Sequence, residues 1–386
     1  MRKKMMAFVG MAIASLTIFA ACGAPAATGG SASAPADAAT ETASGASESS
    51  TTKSGDELIV VLAKGFQHQF WQTVKKGADD AAKELGVTVD FQGPPSESDI
   101  QTQVDQFNTA LAKNPSAVVL AALDTEAVTS QLQSAQEKKI PVIGFDSGVP
   151  DAPAGQVAAT AATDNKAAAA IAAEHLVADA DFMAKLKAAT EENPVTIAVV
   201  SQDATSASVT GRTEGFITKM KAEAEKLFPG QVAVIGHDLY KQDAEKTPVV
   251  NILAQIAPTT DAQDLKNAAQ AALDTKGIIG IFCSNEGTVG GILNATSDGK
   301  DLAKDGGKYK DITVVGFDAG APQKEAVKNQ WFLGSITQDP YQIGYKAVSM
   351  AVDAANGKSV SDVDTGAKWY DSTNIDDPDI AQLVYD

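Results

Sequence analysis

Residues 58–93 read LIVVLAKGFQHQFWQTVKKGADDAAKELGVTVDFQG. The segment opens with one apolar run, Leu58–Ala63, and closes with another, Val87–Phe91. Between them a helix is predicted from Phe70 to Leu85, and Gly86 supplies the glycine expected just past a helix C-terminus. A buried strand, a helix and a second strand in this order predict two parallel strands joined by a crossover helix.

The same alternation continues along the chain and then starts again. At 386 residues the chain exceeds the size of about 250–300 residues at which single cores stop growing. The sequence therefore predicts an α/β protein with two doubly wound parallel-sheet lobes. Residues 241–261 break the rhythm and are interpreted as an inserted loop or lobe of the second unit. Further strands are predicted at Ala117–Ala122, Pro141–Phe145, Gln156–Ala161, Val195–Ser201, Gln231–Gly236, Ile278–Cys283, Ile312–Phe317 and Leu333–Thr337.

The composition limits the class of partner. Hydrophobic residues make up 44% and charged residues 21% of the chain, as in a soluble globular protein. The net charge is -18, and this acidic balance argues against nucleic acid or an anionic membrane surface as the main partner, because both would repel the protein.

The first residues have the pattern of an export signal. Three basic residues precede an apolar stretch, Met5–Ala21, which ends in small residues directly before Cys22. This pattern predicts a signal peptide over residues 1–21. Cleavage before Cys22 would resemble the processing of bacterial lipoproteins, in which that cysteine carries the lipid, although Phe19 stands where the lipoprotein pattern has Leu. We expect lipidation of Cys22 and anchoring at the outer face of the cell membrane.

Residues 22–56 consist almost entirely of Ala, Gly, Ser, Thr and Pro with scattered acidic residues. Such a segment buries too little apolar surface to offset its ordering entropy, so it is interpreted as a disordered tether. A flexible chain of this length has a root-mean-square reach of about 30 Å, which suits a protein that docks on a partner at the membrane.

Polar and aromatic residues follow the predicted strands. Ligands of open parallel sheets bind outside the carboxyl ends of the strands. KGFQHQFW (64–71) follows the first strand and includes Phe66, Phe70 and Trp71. Adjacent helical residues point in different directions, so at least one of Phe70 and Trp71 is expected to be structural. Four other strand ends carry a carboxylate or an amide, at Asp146, Asn285–Glu286, Asp318 and Gln338–Asp339.

This combination favours a small polar ligand, and a sugar in particular. Carboxylates, amides and guanidinium groups match hydroxyls that both donate and accept, and aromatic rings stack on the C–H faces of a sugar. No CxxC or HExxH spacing occurs, residues 371–379 do not match a calcium loop, and Cys283 lies in an apolar run as a core thiol. No metal and no cofactor are expected.

Seven motifs carry a family resemblance in their order and spacing. The motifs are FWQTVKKGADDAAKELG (70–86), IPVIGFDSG (140–148), ATDN (162–165), GRTEGF (211–216), IFCSNEG (281–287), VVGFDAG (314–320) and ITQDPYQIG (336–344). Through them the chain resembles, over residues 57–372, the ribose-binding branch of the type I periplasmic binding proteins, the sugar-binding components of ABC importers.

The resemblance implies two lobes joined by three hinge crossings that close on one small sugar. It implies a monomer that delivers the sugar to an ABC permease with its ATPase, and it implies neither an enzyme nor a nucleic-acid binder. The hinge crossings are expected near Thr163, Asp339 and Ser372. The implied domains are a first lobe of residues 57–162 plus 339–372 and a second lobe of residues 163–338 plus 373–386.

The resemblance also assigns ligand contacts. The residues implied are His68, Phe70, Trp71, Asp146, Arg212, Asn285, Asp318 and Gln338. Arg212 lies about two residues from the family's guanidinium position, so Thr210 is the alternative. Ser147 replaces an Arg of ribose binders, and Ala121 stands where a polar residue is expected, which indicates a pocket altered from that of ribose binders. Loss of Asp146 or Asp318 is expected to abolish binding and leave thermal stability near that of the wild type.

Other classes of function fit the sequence less well than transport-linked sugar binding. A glycosidase would need two carboxylates that flank one bond, but the resemblance places Asp146 and Asp318 on opposite lobes as acceptors for hydroxyls. No nucleophile elbow, P-loop or dinucleotide-binding glycine pattern occurs. A transcriptional regulator would need an N-terminal helix-turn-helix, where a signal and tether are predicted. An exported receptor that signals to a sensor or chemoreceptor uses the same fold and stays the alternative.

Overall fold

A computed structural model describes residues 57–66 and 68–385. The predicted signal peptide, the tether and Cys22 lie outside the described residues. All the described residues belong to one compact unit, residues 52–386.

The first sheet contains six strands, and every pair of neighbours runs parallel. Its order is β12-β5-β4-β3-β1-β2, so the chain winds outward in both directions from the middle strands. The strands are β1 (Leu58–Leu62), β2 (Thr88–Gln92), β3 (Ala117–Leu120), β4 (Val142–Phe145), β5 (Ala159–Ala162) and β12 (Val363–Asp364).

The second sheet contains seven strands in the order β13-β11-β10-β9-β6-β8-β7. All neighbours are parallel except the edge strand β13, which pairs antiparallel with β11. The strands are β6 (Val195–Ser201), β7 (Val232–Gly236), β8 (Val250–Ile256), β9 (Ile278–Cys283), β10 (Thr313–Phe317), β11 (Gly334–Gln338) and β13 (Ala367–Tyr370).

Helices connect most of the consecutive strands; β4 and β5, β7 and β8, and β12 and β13 are joined without a helix. The helices are α1 (Gln69–Leu85), α2 (Ile100–Ala112), α3 (Thr129–Glu137), α4 (Asn165–Ala178), α5 (Ala180–Lys187), α6 (Ala207–Glu225), α7 (Ala262–Leu273), α8 (Glu286–Ala295), α9 (Ala321–Lys328), α10 (Pro340–Ala355) and α11 (Pro378–Ala381), with a short 3-10 helix at Lys300–Leu302. The predicted α/β class with two parallel-dominated sheets is confirmed.

Local sequence explains where these elements begin and end. The central strands β1, β3 and β4 are continuous apolar runs because both faces of each sheet are covered. Gly86 ends α1 in the left-handed conformation, with φ 70°, as its position predicted. Asp99 begins α2 by accepting a hydrogen bond from the backbone of Thr102.

The interpretation of residues 241–261 as an insertion is wrong. Seven of these residues form β8, which lies inside the second sheet between β6 and β7. The strand does not form a continuous apolar run because Asn251 and Gln255 interrupt its apolar residues. With β8 and the edge strand β13, the second sheet contains two more strands than the sequence predicts.

The chain passes between the sheets at three places. The first lies between β5 and α4, at Thr163–Asp164, and the second at Asp339, between β11 and α10. The third lies between β12 and β13, at residues 365–366, whereas the sequence placed it near Ser372. Because β13 pairs with β11, residues 367–370 belong with the second sheet.

Four apolar clusters fill the spaces between sheets and helices, two beside each sheet. Cys283 is a free thiol buried at the end of β9, and burial raises its pKa well above the usual value, so it is the core thiol that was expected. Among the described residues, no helix is both long enough and apolar enough to cross a membrane.

Candidate functional site

The carboxyl ends of both sheets meet at one polar cavity. The space between its side chains, counted to its open mouth, is about 310 Å³. All eight residues that the sequence implied as ligand contacts line this cavity. They are His68, Phe70, Trp71, Asp146, Arg212, Asn285, Asp318 and Gln338, and Lys64, Glu97, Ser208, Val209 and Glu286 complete the lining.

Asp146 and Asp318 occupy equivalent positions in the two sheets. Each follows a Gly-Phe pair at the end of a strand, β4 and β10, and each donates its backbone N–H to the next strand. Both adopt the left-handed conformation, with φ 51° at Asp146 and 75° at Asp318. Such backbone strain is tolerated by Asp and recurs at binding sites, where it aims a side chain out of the sheet.

The two carboxylates have different surroundings. Among the described residues, no side chain or backbone group donates a hydrogen bond to the Asp146 carboxylate, which is buried within the cavity. Burial raises the pKa of Asp146 to about 6, although the charges of Lys64 and Arg212 act in the opposite direction. Asp146 is therefore an acceptor that the protein leaves available.

The Asp318 carboxylate, in contrast, is held by the protein. It accepts hydrogen bonds from Nε2 of Gln338 at 2.7 Å and from the backbone N–H of Glu286 at 3.0 Å. Nη1 of Arg212 lies 3.6 Å away, and the Arg212 guanidinium stacks over the ring of Phe317, 3.9 Å from its centroid.

Arg212 is the guanidinium of the site, and the alternative, Thr210, does not line the cavity. The Thr210 hydroxyl donates to the backbone of its own helix, to the carbonyl of Ser206. Arg212 is fixed by Asn165, whose Oδ1 accepts from Nε at 2.8 Å, and by the carbonyl of Ser284. Both partners also orient Arg212 towards the second sheet's strand ends.

The aromatic wall is formed by Phe70 and Trp71 at the start of α1. Their rings meet edge to face at 5.0 Å, and Trp71 packs in the same way on Phe145. Both residues belong to the apolar core beside the first sheet, which agrees with the expectation that at least one of them is structural, and both also reach the cavity. Phe66, the third candidate, is exposed, packs on Phe91 and does not line the cavity.

Two charged residues of the cavity were missed from the sequence. Glu97 lies in the loop after β2 and accepts from Nε1 of Trp71 and from Nε2 of Gln202, both at 2.8 Å. Lys64 directly follows β1, and its Nζ lies 3.5 Å from Glu97. Burial raises the pKa of Glu97, but Lys64, His68 and the two hydrogen bonds outweigh this effect and lower it overall.

Glu286 is a third charged residue of the cavity that the resemblance does not imply as a ligand contact, although it stands beside Asn285 at a strand end. It begins α8, where Asn285 forms a capping box with Thr288. Burial raises the pKa of the Glu286 carboxyl, while the backbone N–H groups of Gln69 and Phe70, at the start of α1, lower it. Glu286 therefore faces the N-terminus of a helix that belongs to the other sheet.

Several hydrogen bonds join the two halves around the cavity. Nζ of Lys64 donates to the hydroxyl of Ser206 at 3.3 Å, and the backbone N–H of Thr260 donates to the hydroxyl of Ser98 at 2.8 Å. The backbone N–H of Ser208 donates to the hydroxyl of Ser147 at 3.2 Å. Ser147, which follows β4 of the first sheet, thus contacts the start of α6 beside the second sheet.

The arrangement suits a donor-rich ligand. The cations Lys64 and Arg212 are already paired within the protein, whereas the Asp146 carboxylate and Oε1 of Gln338 accept no hydrogen bond from the described residues. Groups of three or more residues able to hold a metal ion do not occur among residues 57–66 and 68–385.

Comparison with known proteins identifies the family. The family model of the periplasmic binding protein domain matches residues 59–359, most of the chain. The chain belongs to this family. Members of this family of binding proteins are not enzymes, so the expectation of a non-catalytic protein is confirmed.

Individual periplasmic binding proteins agree with this assignment. The D-allose-binding periplasmic protein of Escherichia coli is 25% identical over 81% of this chain and 89% of its own length. The solved structure of a Brachyspira murdochii protein, described as an ABC transporter and LacI family transcriptional regulator, is 41% identical with a TM-score of 0.71, over 86% of this chain and 99% of that one. A solute-binding protein from Agrobacterium vitis with bound D-fucose is 27% identical with a TM-score of 0.69, over 85% and 100%.

Proposed function

We propose that this periplasmic binding protein binds a small sugar in the cavity between the two sheets and delivers it to an ABC permease with its ATPase. The D-allose-binding relative and the structure with bound D-fucose support a sugar as the ligand class. The eight residues implied as contacts are proposed to touch the sugar.

One observation carries the proposal: available acceptors face the same cavity from both sheets. The Asp146 carboxylate follows β4 of the first sheet, and Oε1 of Gln338 ends β11 of the second. Hydroxyls of one sugar ring can donate to both, while Phe70 and Trp71 offer apolar surface to its C–H groups. A ligand that satisfies groups on both sheets binds better to the closed arrangement than to an open one.

The test is isothermal titration calorimetry with a panel of free sugars, including D-allose, D-ribose, D-fucose and D-galactose. We expect at least one to bind and the variant Asp146→Ala to lose that binding. The matched control is Asp151→Ala, which removes an exposed carboxylate from the same loop region outside the cavity. If no sugar binds, or if Asp146→Ala binds as the wild type does, the proposal is wrong.

Closure by hinge bending at the three crossings is part of the proposal. The hydrogen bonds between Lys64 and Ser206 and between Ser98 and Thr260 form only when the two lobes approach. Sugar that contacts both lobes shifts the population towards this form, which the permease would recognise. Small-angle X-ray scattering should show a monomer whose radius of gyration decreases when the sugar is added; an unchanged radius would contradict hinge closure.

Anchoring at the outer face of the cell membrane is proposed from the sequence. A signal peptide over residues 1–21 would be cleaved before Cys22, which would receive the lipid, and residues 22–56 would act as the tether. Cell fractionation tests this. The wild type should stay with the membrane and Cys22→Ala should be released; equal distribution of the two would exclude a lipid anchor at Cys22.

A further inference from the structure

A second, larger space adjoins the cavity. It is a groove of about 760 Å³, counted to its open mouth, on the side of the second sheet where α7, α8 and α9 begin. The groove shares two wall residues with the cavity, His68 and Glu286. The two spaces are therefore neighbours, separated by these side chains.

The wall between the two spaces is polar. At Gly287 a Cβ would lie 2.8 Å from Oε1 of Gln202 and 3.4 Å from Cε1 of His68. Nε2 of His68 and Oε2 of Glu286 are buried without a hydrogen-bond partner among the described residues. Nε2 of His68 comes no nearer than 3.8 Å to the carboxylate of Glu97. A group that passed from the cavity into the groove would meet two unused hydrogen-bonding atoms.

Apart from His68 and Glu286, at its border with the cavity, the groove is mainly apolar. Its apolar wall consists of Ala262, Leu265, Val289, Leu293 and Pro322, and its lining contains no Lys or Arg. At Gly290, in the middle of α8, a Cβ would meet nothing within 4 Å, so a larger side chain has open space there.

Gln323 adds an independent sign that the groove receives a ligand. Its side chain is almost completely buried and lines the groove. Nε2 donates to the carbonyl of Phe317, but Oε1 is buried and has no partner among the described residues. An acceptor left unsatisfied in this way costs about 1–3 kcal/mol unless a ligand or water donates to it.

We propose that the ligand is a glycoside, with its sugar ring in the cavity and an uncharged, predominantly apolar substituent in the groove. This inference rests on the proposed sugar-binding function and extends it to a second subsite. The link passes between His68 and Glu286, and a donor on the substituent reaches Gln323.

The chemistry of the lining selects this class of substituent. An anionic group would face the Glu286 carboxylate with no Lys or Arg beside it in the groove. A second sugar ring would find no aromatic side chain there on which to stack, whereas an alkyl or phenyl group would be covered by the Leu, Val and Pro side chains.

The test compares two ligands and three proteins by isothermal titration calorimetry. The ligands are the free sugar that binds best in the panel above and its phenyl glycoside. The proteins are the wild type, Gly290→Leu, which fills the groove, and the matched control Gly290→Ala, which adds only a methyl group in open space. Leu and Ala both favour a helix over Gly, so neither variant should lower the melting temperature.

We expect the wild type to bind the phenyl glycoside at least about tenfold more tightly than the free sugar, because the phenyl group is removed from water. Gly290→Leu should lose this advantage and bind the free sugar as the wild type does, and Gly290→Ala should keep most of it. If the free sugar binds and its phenyl glycoside binds no better, the groove is not a subsite and the sugar-binding function stands. If neither ligand nor any sugar of the panel binds, both proposals fall.

Discussion

The side-chain amide of Gln202 donates to the carboxylate of Glu97, Nε2 to Oε2 at 2.8 Å, and the two residues belong to different sheets. Gln202 directly follows β6, and Glu97 lies in the loop after β2. Both are almost completely buried, as is Lys64, whose ammonium group is 3.5 Å from the same carboxylate. Burial lowers the pKa of Lys64, but the charges of Glu97, Asp203 and Asp146 raise it overall, so Lys64 keeps its proton.

Loss of Glu97 should therefore destabilise the protein strongly. Glu97→Ala leaves the buried Lys64 without its nearest counter-charge, and we expect a loss of roughly 3–5 kcal/mol in the free energy of unfolding, measured with urea. The double variant Glu97→Gln with Lys64→Met should lose less, because no buried charge is left alone. Asp79→Ala, which breaks an exposed pair with Lys75, is the control and should change little. Equal losses in the Glu97 and Asp79 variants would contradict this.

Asp146 should make stability depend on pH. Its pKa is raised from 3.8 to about 6 in the folded protein, so the folded state holds this proton more tightly than the unfolded state. The contribution of that proton to the free energy of unfolding is fully present below about pH 4 and is lost as the pH rises to about 6. The contribution is on the order of 3 kcal/mol.

The measurement is the melting temperature of Asp146→Asn against that of the wild type across pH 4–8. The amide does not ionise. The melting temperature of the variant relative to that of the wild type should therefore rise between pH 4 and 6 and stay at the higher level above pH 6. A difference between the two proteins that does not change with pH would mean that the pKa of Asp146 is not raised.

The two strand-end aspartates should differ in their effect on stability. The sequence led to the expectation that either could be removed without harm, but the surroundings of Asp318 argue otherwise. Asp318→Ala removes the acceptor of Gln338 and the counter-charge of the buried Arg212, so we expect a loss of about 2–4 kcal/mol in the free energy of unfolding.

Asp146→Ala should be neutral or slightly stabilising at pH 7, since its carboxylate accepts no hydrogen bond from the described residues. Asp318→Asn keeps an oxygen for Gln338 and should lose less than Asp318→Ala. Thermal unfolding followed by circular dichroism orders the four proteins. Equal stability of Asp146→Ala and Asp318→Ala would contradict the difference between their surroundings.

The class of fold could be predicted because parallel strands that are buried on both faces appear in the sequence as continuous apolar runs. The runs at β1, β3 and β4 are short and apolar throughout, β6 departs from this only at Thr196 and Ser201, and segments of helical periodicity separate these runs. The strand β8 was missed because Asn251 and Gln255 interrupt its apolar run. β12 and β13 were missed for another reason: two-residue and four-residue edge strands are defined by their partners and not by composition.

The candidate site could be predicted where its residues directly end strands. Asp146, Asp318 and Gln338 are of this kind, since position in a parallel sheet fixes where their side chains gather. Glu97 could not be found in this way, because the loop after β2 reaches the cavity only through the tertiary fold. Only a chemical argument points to Glu97: a lysine buried just after β1, Lys64, requires a nearby carboxylate as its counter-charge, and Glu97 provides it.

The contact between α1 and α10 provides a last prediction. The two helices cross closely enough that a Cβ on Gly77 would overlap the backbone carbonyl of Tyr341, and a Cβ on Gly344 would overlap that of Val74. Backbone atoms cannot move aside as a flexible side chain can. Gly77→Ala should therefore destabilise the protein by about 3 kcal/mol or more, although Ala favours a helix.

The control for this prediction is Gly290→Ala. Gly290 also lies within a helix, but its Cβ would meet nothing within 4 Å, so the helix preference acts alone and should stabilise the protein by up to about 1 kcal/mol. If α1 and α10 cross this closely, urea denaturation should show a lower free energy of unfolding for Gly77→Ala and a higher one for Gly290→Ala than for the wild type. Two stabilised variants would mean that these helices are farther apart than the structure places them.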